Sequence, residues 1–434
     1  MQHHFLLLIG ALLAASATAR AENWAQWRGP NFNGSTTATG LPVKWSTTEN
    51  VTWVTALPGR SGATPAIWGD SIFVTSPDTE DHLLLLCLDR SSGKVRWQQQ
   101  LGTGNTVKGN NNMTSPSPAT DGQLVIALFG SGDLKALDFT GKVLWKRDLN
   151  AEYGKLAVNW LYGASPLLYN GRLYVQLLQR NPPTYKHALD DKPTRDSFLL
   201  CLDPQTGRYL WKQPRTTEAP GECMESYATP IPFQGQHGEE ILLVGGDYVT
   251  AHDAATGTEK WRCGGLNPRH QDWGRIVPSV VTCGELIYAC GPKREIFQAI
   301  RDGGTGTVTS SHVAWKMTEN APDVCTPLVL DGKLFVLDGD HKEFLRLNPL
   351  TGAKIWQGSL PVEGVTRASL TGADGKLYVT SEGGKVVVFA AGEEYKVLAI
   401  NTLGEAPCRS SVAISDGQLF IRTAKSLYCI GSRK

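Results

Sequence analysis

A glycine followed four residues later by a tryptophan recurs five times along this chain, and that spacing governs what the chain can fold into. The pairs are Gly93 and Trp97, Gly141 and Trp145, Gly207 and Trp211, Gly257 and Trp261, Gly352 and Trp356. Ahead of each glycine stands Asp89, Asp138, Asp203, Asp253 or Asn348. An Asp or Asn side chain bonds backbone amides across a turn, glycine supplies positive φ, and tryptophan then enters the next strand. Upstream of each unit lies a second pattern: a small residue paired with Pro or Ser, an alternating apolar run, a Gly turn and another apolar run. Thr64-Pro65, Ser117-Pro118, Ser165-Pro166, Thr229-Pro230, Pro278-Ser279, Thr326-Pro327, Ala368-Ser369 and Ser410-Ser411 begin these runs. Each repeat therefore reads as four short antiparallel strands, and fixed-period units of that kind build a β-propeller.

Counting predicts eight blades. Outer-strand positions are Trp53, Trp97, Trp145, Trp211, Trp261, Trp315, Trp356 and a degenerate one near Leu398-Ala399. The last repeat stops at Tyr428-Cys429-Ile430, before its outer strand, while Asn50 to Val54 is an orphan outer strand at the start. Pairing the two leaves no open sheet edge. A seven-bladed ring is the alternative, because the fifth and seventh repeats are irregular.

Hydrophobic residues make up 41% of the 434 and charged residues 19%, enough for a large packed core. Formal net charge is +1, and removing residues 1–21, which hold Arg20 and no acid, leaves a balanced chain. That excludes an electrostatic footprint for nucleic acid or an anionic membrane. Phe5 to Ala15 is apolar and too short to span a bilayer, and Ala17, Ala19 and Ala21 precede Glu22. This pattern predicts a signal peptide over 1–21, then an N-terminal extension over 22–50 and the propeller over 51–432. The expected product is a periplasmic or extracellular monomer, with no lipid anchor because no Cys follows the apolar run. Nine cysteines are present, an odd count. Cys87, Cys201 and Cys429 share a repeat position with Ala136, Ala251 and Ala299, so they read as small buried hydrophobes. Cys223, Cys325 and Cys408 fall near the mouth loops, where a disulfide is conceivable.

The run Cys201-Leu202-Asp203-Pro204-Gln205-Thr206-Gly207-Arg208-Tyr209-Leu210-Trp211 resembles the tryptophan-docking motif of pyrroloquinoline-quinone (PQQ) propellers. The segments Trp24 to Asn31 and Leu419 to Thr423 are similar to those of exported bacterial PQQ-like repeat proteins. The likeness covers residues 22 to 432. It implies that each tryptophan docks between neighbouring blades. In kind, the chain also resembles the propeller lipoprotein of the outer-membrane β-barrel assembly machine. The PQQ dehydrogenases of this superfamily add an adjacent Cys-Cys disulfide, a Glu/Asn/Asp set for Ca²⁺ and often a C-x-x-C-H haem site. This sequence has neither adjacent cysteines nor C-x-x-C-H.

The loops entering the innermost strands should converge on one mouth. They carry Arg60, Asn112, Trp160, Glu225, Trp273, Arg275, Asp323, Arg367 and Arg409 as candidate ligand residues. Middle loops add Asp133, Lys293, Asp340 with His341, Glu382 and Lys425. The long insertion from Gln179 to Ser197 reads as a solvated loop beside the mouth. Arginines with tryptophans suit a planar anion, a peptide or a glycan. The expected function is a non-catalytic binding or scaffold propeller with a protein or glycan partner and no catalytic or metal-ligating residue. The rivals are a PQQ-dependent oxidoreductase of alcohols or sugars, using calcium, and a glycan-binding accessory protein.

Overall fold

The computed structural model describes residues 22–433, so the expected signal peptide lies outside the described residues. The chain is an eight-bladed β-propeller of four-stranded antiparallel blades. Seven blades take their strands in chain order, over 66–103, 119–148, 167–214, 231–263, 281–317, 328–359 and 371–402. The eighth joins the two ends: Ala413–Ser415, Gln418–Arg422 and Ser426–Ile430 are completed by Val51–Ala56. Trp53 stands opposite Cys429 and Val54 opposite Tyr428, as the orphan strand requires. The seven-bladed alternative falls. Among the described residues, no helix is long and apolar enough to cross a membrane.

Core side chains lie mainly between blades. Leu128 and Leu134 of the second blade pack with Val175 and Leu200 of the third, and Leu242 of the fourth packs with Ile287 of the fifth. The repeated glycine and tryptophan complete these layers from outside. They serve different interfaces, because each tryptophan docks on the glycine of the next blade. A Cβ on Gly93 would sit 2.5 Å from Trp53, and one on Gly207 would sit 2.5 Å from Trp145. Both glycines also have positive φ, 70° and 67°, so a side chain there is excluded twice. The indole N–H then donates to a turn carbonyl of that blade. Trp53 reaches Arg90 at 2.8 Å, Trp97 Phe139 at 2.9 Å, Trp145 Pro204 at 2.8 Å and Trp211 Ala255 at 2.8 Å. Trp315 reaches Pro349 at 2.9 Å and Trp356 reaches Gly392 at 3.3 Å.

Across the ladder from Trp97, Trp211 and Trp53 stand Cys87, Cys201 and Cys429, and from Trp145 stands Ala136. A small residue leaves room for the indole, which accounts for cysteine and alanine alternating at this position.

Two blades depart from the rule. After the fourth, the expected turn gives way to Gly306–Thr307, which pairs in parallel with Trp261 and Arg262 as a fifth strand. Trp261 is fully buried there and lacks a turn carbonyl as acceptor. In the seventh, Ala399 occupies the tryptophan position opposite Val388. Trp45 packs into the same core cluster as Leu398 and Ala399, and its amide is held by Asn401 at 2.9 Å. The stretch 22–50 is thus part of the ring's packing.

The docking tryptophans other than Trp53 and Trp261 are half-buried. Trp145→Ala should therefore cost about 2–3 kcal/mol, less than a fully buried tryptophan. Urea unfolding of that variant measures it, and a loss below about 0.5 kcal/mol, the usual size for a plain surface site, would dismiss the docking role.

Candidate functional site

Every innermost strand is preceded by one hydroxyl residue, and these side chains form a belt around the central channel. Ser117 Oγ accepts from the amide of Thr64 at 2.9 Å, Ser165 from Ser117 at 3.0 Å and Thr229 from Ser165 at 3.0 Å. Ser279 accepts from Thr229 at 2.8 Å, Thr326 from Ser279 at 3.1 Å, Ser369 from Thr326 at 3.0 Å and Ser411 from Ser369 at 3.0 Å. Each bond ties one blade to the next. The return link from Ser411 to Thr64 is the single gap, and the buried Thr64 hydroxyl has no partner among the described residues.

Successive residues of an extended chain alternate sides, so the residue two before each hydroxyl faces the same way. Those eight are Gly62, Ser115, Gly163, Tyr227, Val277, Val324, Arg367 and Arg409, and all line a cavity of about 360 Å³. Arg275, Asn110, Asn111 and Trp160 complete its upper wall. The wall is two-sided. Arg367 and Arg409 come from the entrances to blades seven and eight, across the ring from Trp160 and Tyr227 at blades three and four.

The arginines are held by carboxylates that do not line the cavity. Arg275 Nη1 donates to both oxygens of Asp323, at 3.0 and 3.1 Å. Arg367 Nη1 donates to Asp340 at 2.8 Å, and Arg409 meets Glu382 through Nε at 3.1 Å and Nη2 at 3.3 Å. A guanidinium has five N–H donors. Arg275 and Arg367 therefore keep donors that no described residue accepts.

The far end of the channel is crossed by the stretch 22–35. Trp24 bridges to Ile67 of the first blade, Ala25 accepts from Thr120 of the second, and Gln26 brackets Leu168 of the third. Arg28 then reaches the opposite side, donating to Leu370 O at 2.7 Å and Pro327 O at 2.6 Å. Trp27 lies between these anchors and lines the cavity. It forms the floor of the cavity on the side away from the mouth loops.

Glu225 is fully buried beneath the aromatic wall. It accepts from the Asn159 amide at 2.7 Å, from Tyr227 at 3.2 Å and from the Tyr185 hydroxyl. Burial, with neighbouring Glu222, pushes its carboxyl up to about 7. Trp160 Nε1 donates to Glu222 at 3.0 Å, and the Lys108 ammonium sits 5.8 Å from the Trp160 ring. The aromatic wall is thus fixed by carboxylates, as the arginine wall is.

Of the nine residues expected at the mouth, Trp160, Arg275, Arg367 and Arg409 line the well. Arg60 and Asn112 line a smaller side pocket that shares Arg409. Glu225 and Asp323 act from behind. Trp273 is 55% exposed on the outer rim, with Lys293 5.6 Å from its ring. Trp27, Tyr227, Asn110 and Asn111 also line the well, and of these only Tyr227 carries a sequence signal, its two-residue offset from Thr229.

No mouth disulfide forms: Cys223, Cys325 and Cys408 are free. Burial pushes their thiols up to about 11, 12 and 12, so they stay protonated. The insertion from Gln179 to Ser197 is organised around Arg195. That side chain is fully buried, donating to Lys155 O at 2.9 Å, Ala188 O at 3.0 Å and Asp190 at 2.6 Å. Most of the segment is exposed, as expected of a solvated loop, and Arg195 gives it a polar core.

Comparison with known proteins agrees with this architecture. The family model described as outer membrane protein assembly factor BamB matches in overlapping stretches, residues 33–181, 87–303 and 245–430. The chain belongs to that family. Among solved structures, BamB from Moraxella catarrhalis is similar at 14% identity and TM-score 0.60, covering 88% of this chain and 99% of that one. A europium-containing methanol dehydrogenase matches at 10% identity and TM-score 0.67, covering 93% and 90%. The quinohemoprotein alcohol dehydrogenase from Comamonas testosteroni matches at 11% identity and TM-score 0.64, covering 95% and 81%. No curated protein matches in sequence. Likeness at these identities establishes the PQQ-like propeller fold, which an assembly factor and dehydrogenases share.

Proposed function

We propose that the chain is an exported, non-catalytic propeller that binds a protein or glycan partner at its mouth. The observation that carries this reading is the commitment of the carboxylates around the well. Asp323, Asp340 and Glu382 are each engaged by an arginine. A bound calcium takes six to eight oxygen ligands, several of them carboxylate. Among the described residues no three His, Cys, Asp or Glu side chains gather around one point. With these carboxylates occupied by arginines, the well offers a poor donor set for a calcium-quinone centre.

The test is direct. The mature chain, incubated with PQQ and Ca²⁺, should show no dye-linked oxidation of alcohols or sugars. PQQ should bind more weakly than about 10 μM, a free energy of only about −7 kcal/mol. Turnover with sub-micromolar PQQ binding would overturn the non-catalytic reading in favour of a quinoprotein dehydrogenase.

A further inference from the structure

Resting on that binding reading, we propose that the well receives the carboxylate end of a chain, with the last side chain seated against Trp160 and Tyr227. The first reason is shape. The stretch carrying Trp27 crosses the channel between opposite blades, so an entering molecule meets it and presents an end. The volume of about 360 Å³ lies at the small end of the range for ligand sites, about 300–1,000 Å³, which admits a chain end and not a folded element.

The second reason is charge. Arg275, Arg367 and Arg409 are matched one for one by Asp323, Asp340 and Glu382. Their joint charge is zero, so the wall offers oriented N–H donors without a surplus of positive charge. Such a wall suits a planar monoanion, which accepts two parallel hydrogen bonds, better than a phosphate dianion or a polyanion. Arg275 Nε and Nη2 and Arg367 Nη2 have no acceptor among the described residues, although their side chains are only 12% and 26% exposed. These are donors placed in a cleft and left for a guest.

The third reason is the opposing wall. Tyr227 donates its hydroxyl to Glu225, and Trp160 its indole N–H to Glu222. With their polar atoms turned away, both rings present apolar faces to the lumen, beside small residues such as Gly163. An aliphatic or aromatic terminal side chain fits there.

The experiment uses two randomised pentapeptide pools, one with free C-terminal carboxylates and one amidated, passed over the immobilised mature chain. The free-acid pool should be retained at least about tenfold better than the amidated pool. Arg367→Gln should reduce that retention by about tenfold or more. Because it also strands Asp340, a second variant is needed that leaves the ion pairs alone. Gly163 has no positive φ, and a Cβ there would meet nothing nearer than 3.8 Å, so Gly163→Leu fills the well without strain. It should abolish retention while keeping the parent's melting temperature.

Equal retention of both pools, retention of neither, or undiminished retention by Gly163→Leu overturns the proposal. N-acetylphenylalanine, added as competitor, separates the sources of the carboxylate. Displacement assigns the well to small carboxylic acids as well, and absence of displacement confines it to polypeptide ends; both keep the carboxylate assignment. Neither pool measures turnover, so a failed retention leaves the non-catalytic reading standing.

Discussion

An Arg28→Met chain is expected to lose about 3–5 kcal/mol of stability, because three carbonyls are left without their donor at about 1–3 kcal/mol each, less the relief of unburying a charge. Arg28 is 2% exposed, and among the described residues no carboxylate pairs with it. Its charge is held by main-chain carbonyls, Leu370 and Pro327 from the entrances to blades seven and six and Asn33 from its own turn, with the Trp27 ring 5.6 Å away. Burial pulls the guanidinium down to about 9, still protonated at neutral pH. Methionine keeps the stem and removes every donor, leaving three carbonyls facing an apolar side chain. Gly34 packs directly on the guanidinium, so removal of that group leaves the turn without its packing partner as well. Denaturant unfolding reads the loss. Acrylamide quenching reads the second consequence, because Trp27 should become accessible once the segment crossing the channel is loosened. A variant within about 1 kcal/mol of the parent, no more than an ordinary single-site change, would mean that this segment is not anchored through Arg28.

The blades were legible because a propeller repeats one local solution. Gly-to-Trp spacing, turn acids and the orphan strand at Val51 are each short-range patterns, and together they specify the eight-bladed ring. The small-Pro and small-Ser pairs were legible as strand starts but not as a belt, since a hydrogen bond from Ser165 to Thr229 joins residues 64 apart that no periodicity connects. Arg367 and Arg409 were readable for the same reason as the blades, since they sit at a fixed offset from the hydroxyls, whereas Arg275 lies two residues further upstream of its own. The floor was not. Trp24 to Asn31 lies outside the repeats, and its course under the ring depends on partners in five blades, from Ile67 to Leu370. The roles of Glu225 and Asp323 were equally hidden, because sequence places a carboxylate near a mouth without saying whether it faces a ligand or an arginine.

The second large effect concerns pH. Glu240 is fully buried beside the Trp261 indole, whose N–H lies too poorly placed to satisfy either carboxylate oxygen well. Burial, with Asp302 beside it, pushes its carboxyl from about 4.5 up to about 7. Burial likewise raises Asp247 to about 6 and Glu225 to about 7. For a carboxyl raised in the folded state, the folded chain holds its proton more tightly than the unfolded chain. Its contribution is fully present below the unfolded value and is lost as pH rises through the folded one. These three groups therefore make stability fall between about pH 4.5 and pH 7. Asp190, lowered to about 2 by backbone hydrogen bonds and Arg195 against the cost of burial, acts in the opposite sense. It loses its contribution only in stronger acid, so the melting temperature should peak near about pH 5. Glu240→Gln removes one ionisation while keeping the shape. It should stabilise the chain by about 2–3 kcal/mol at about pH 8, by the linkage of about 1.4 kcal/mol per pH unit, and by little at about pH 5. Thermal melts of parent and variant at both pH values decide this. A parent that grows more stable from about pH 5 to about pH 8, or a Glu240→Gln variant whose advantage does not depend on pH, would show that Glu240 is not the buried acid described.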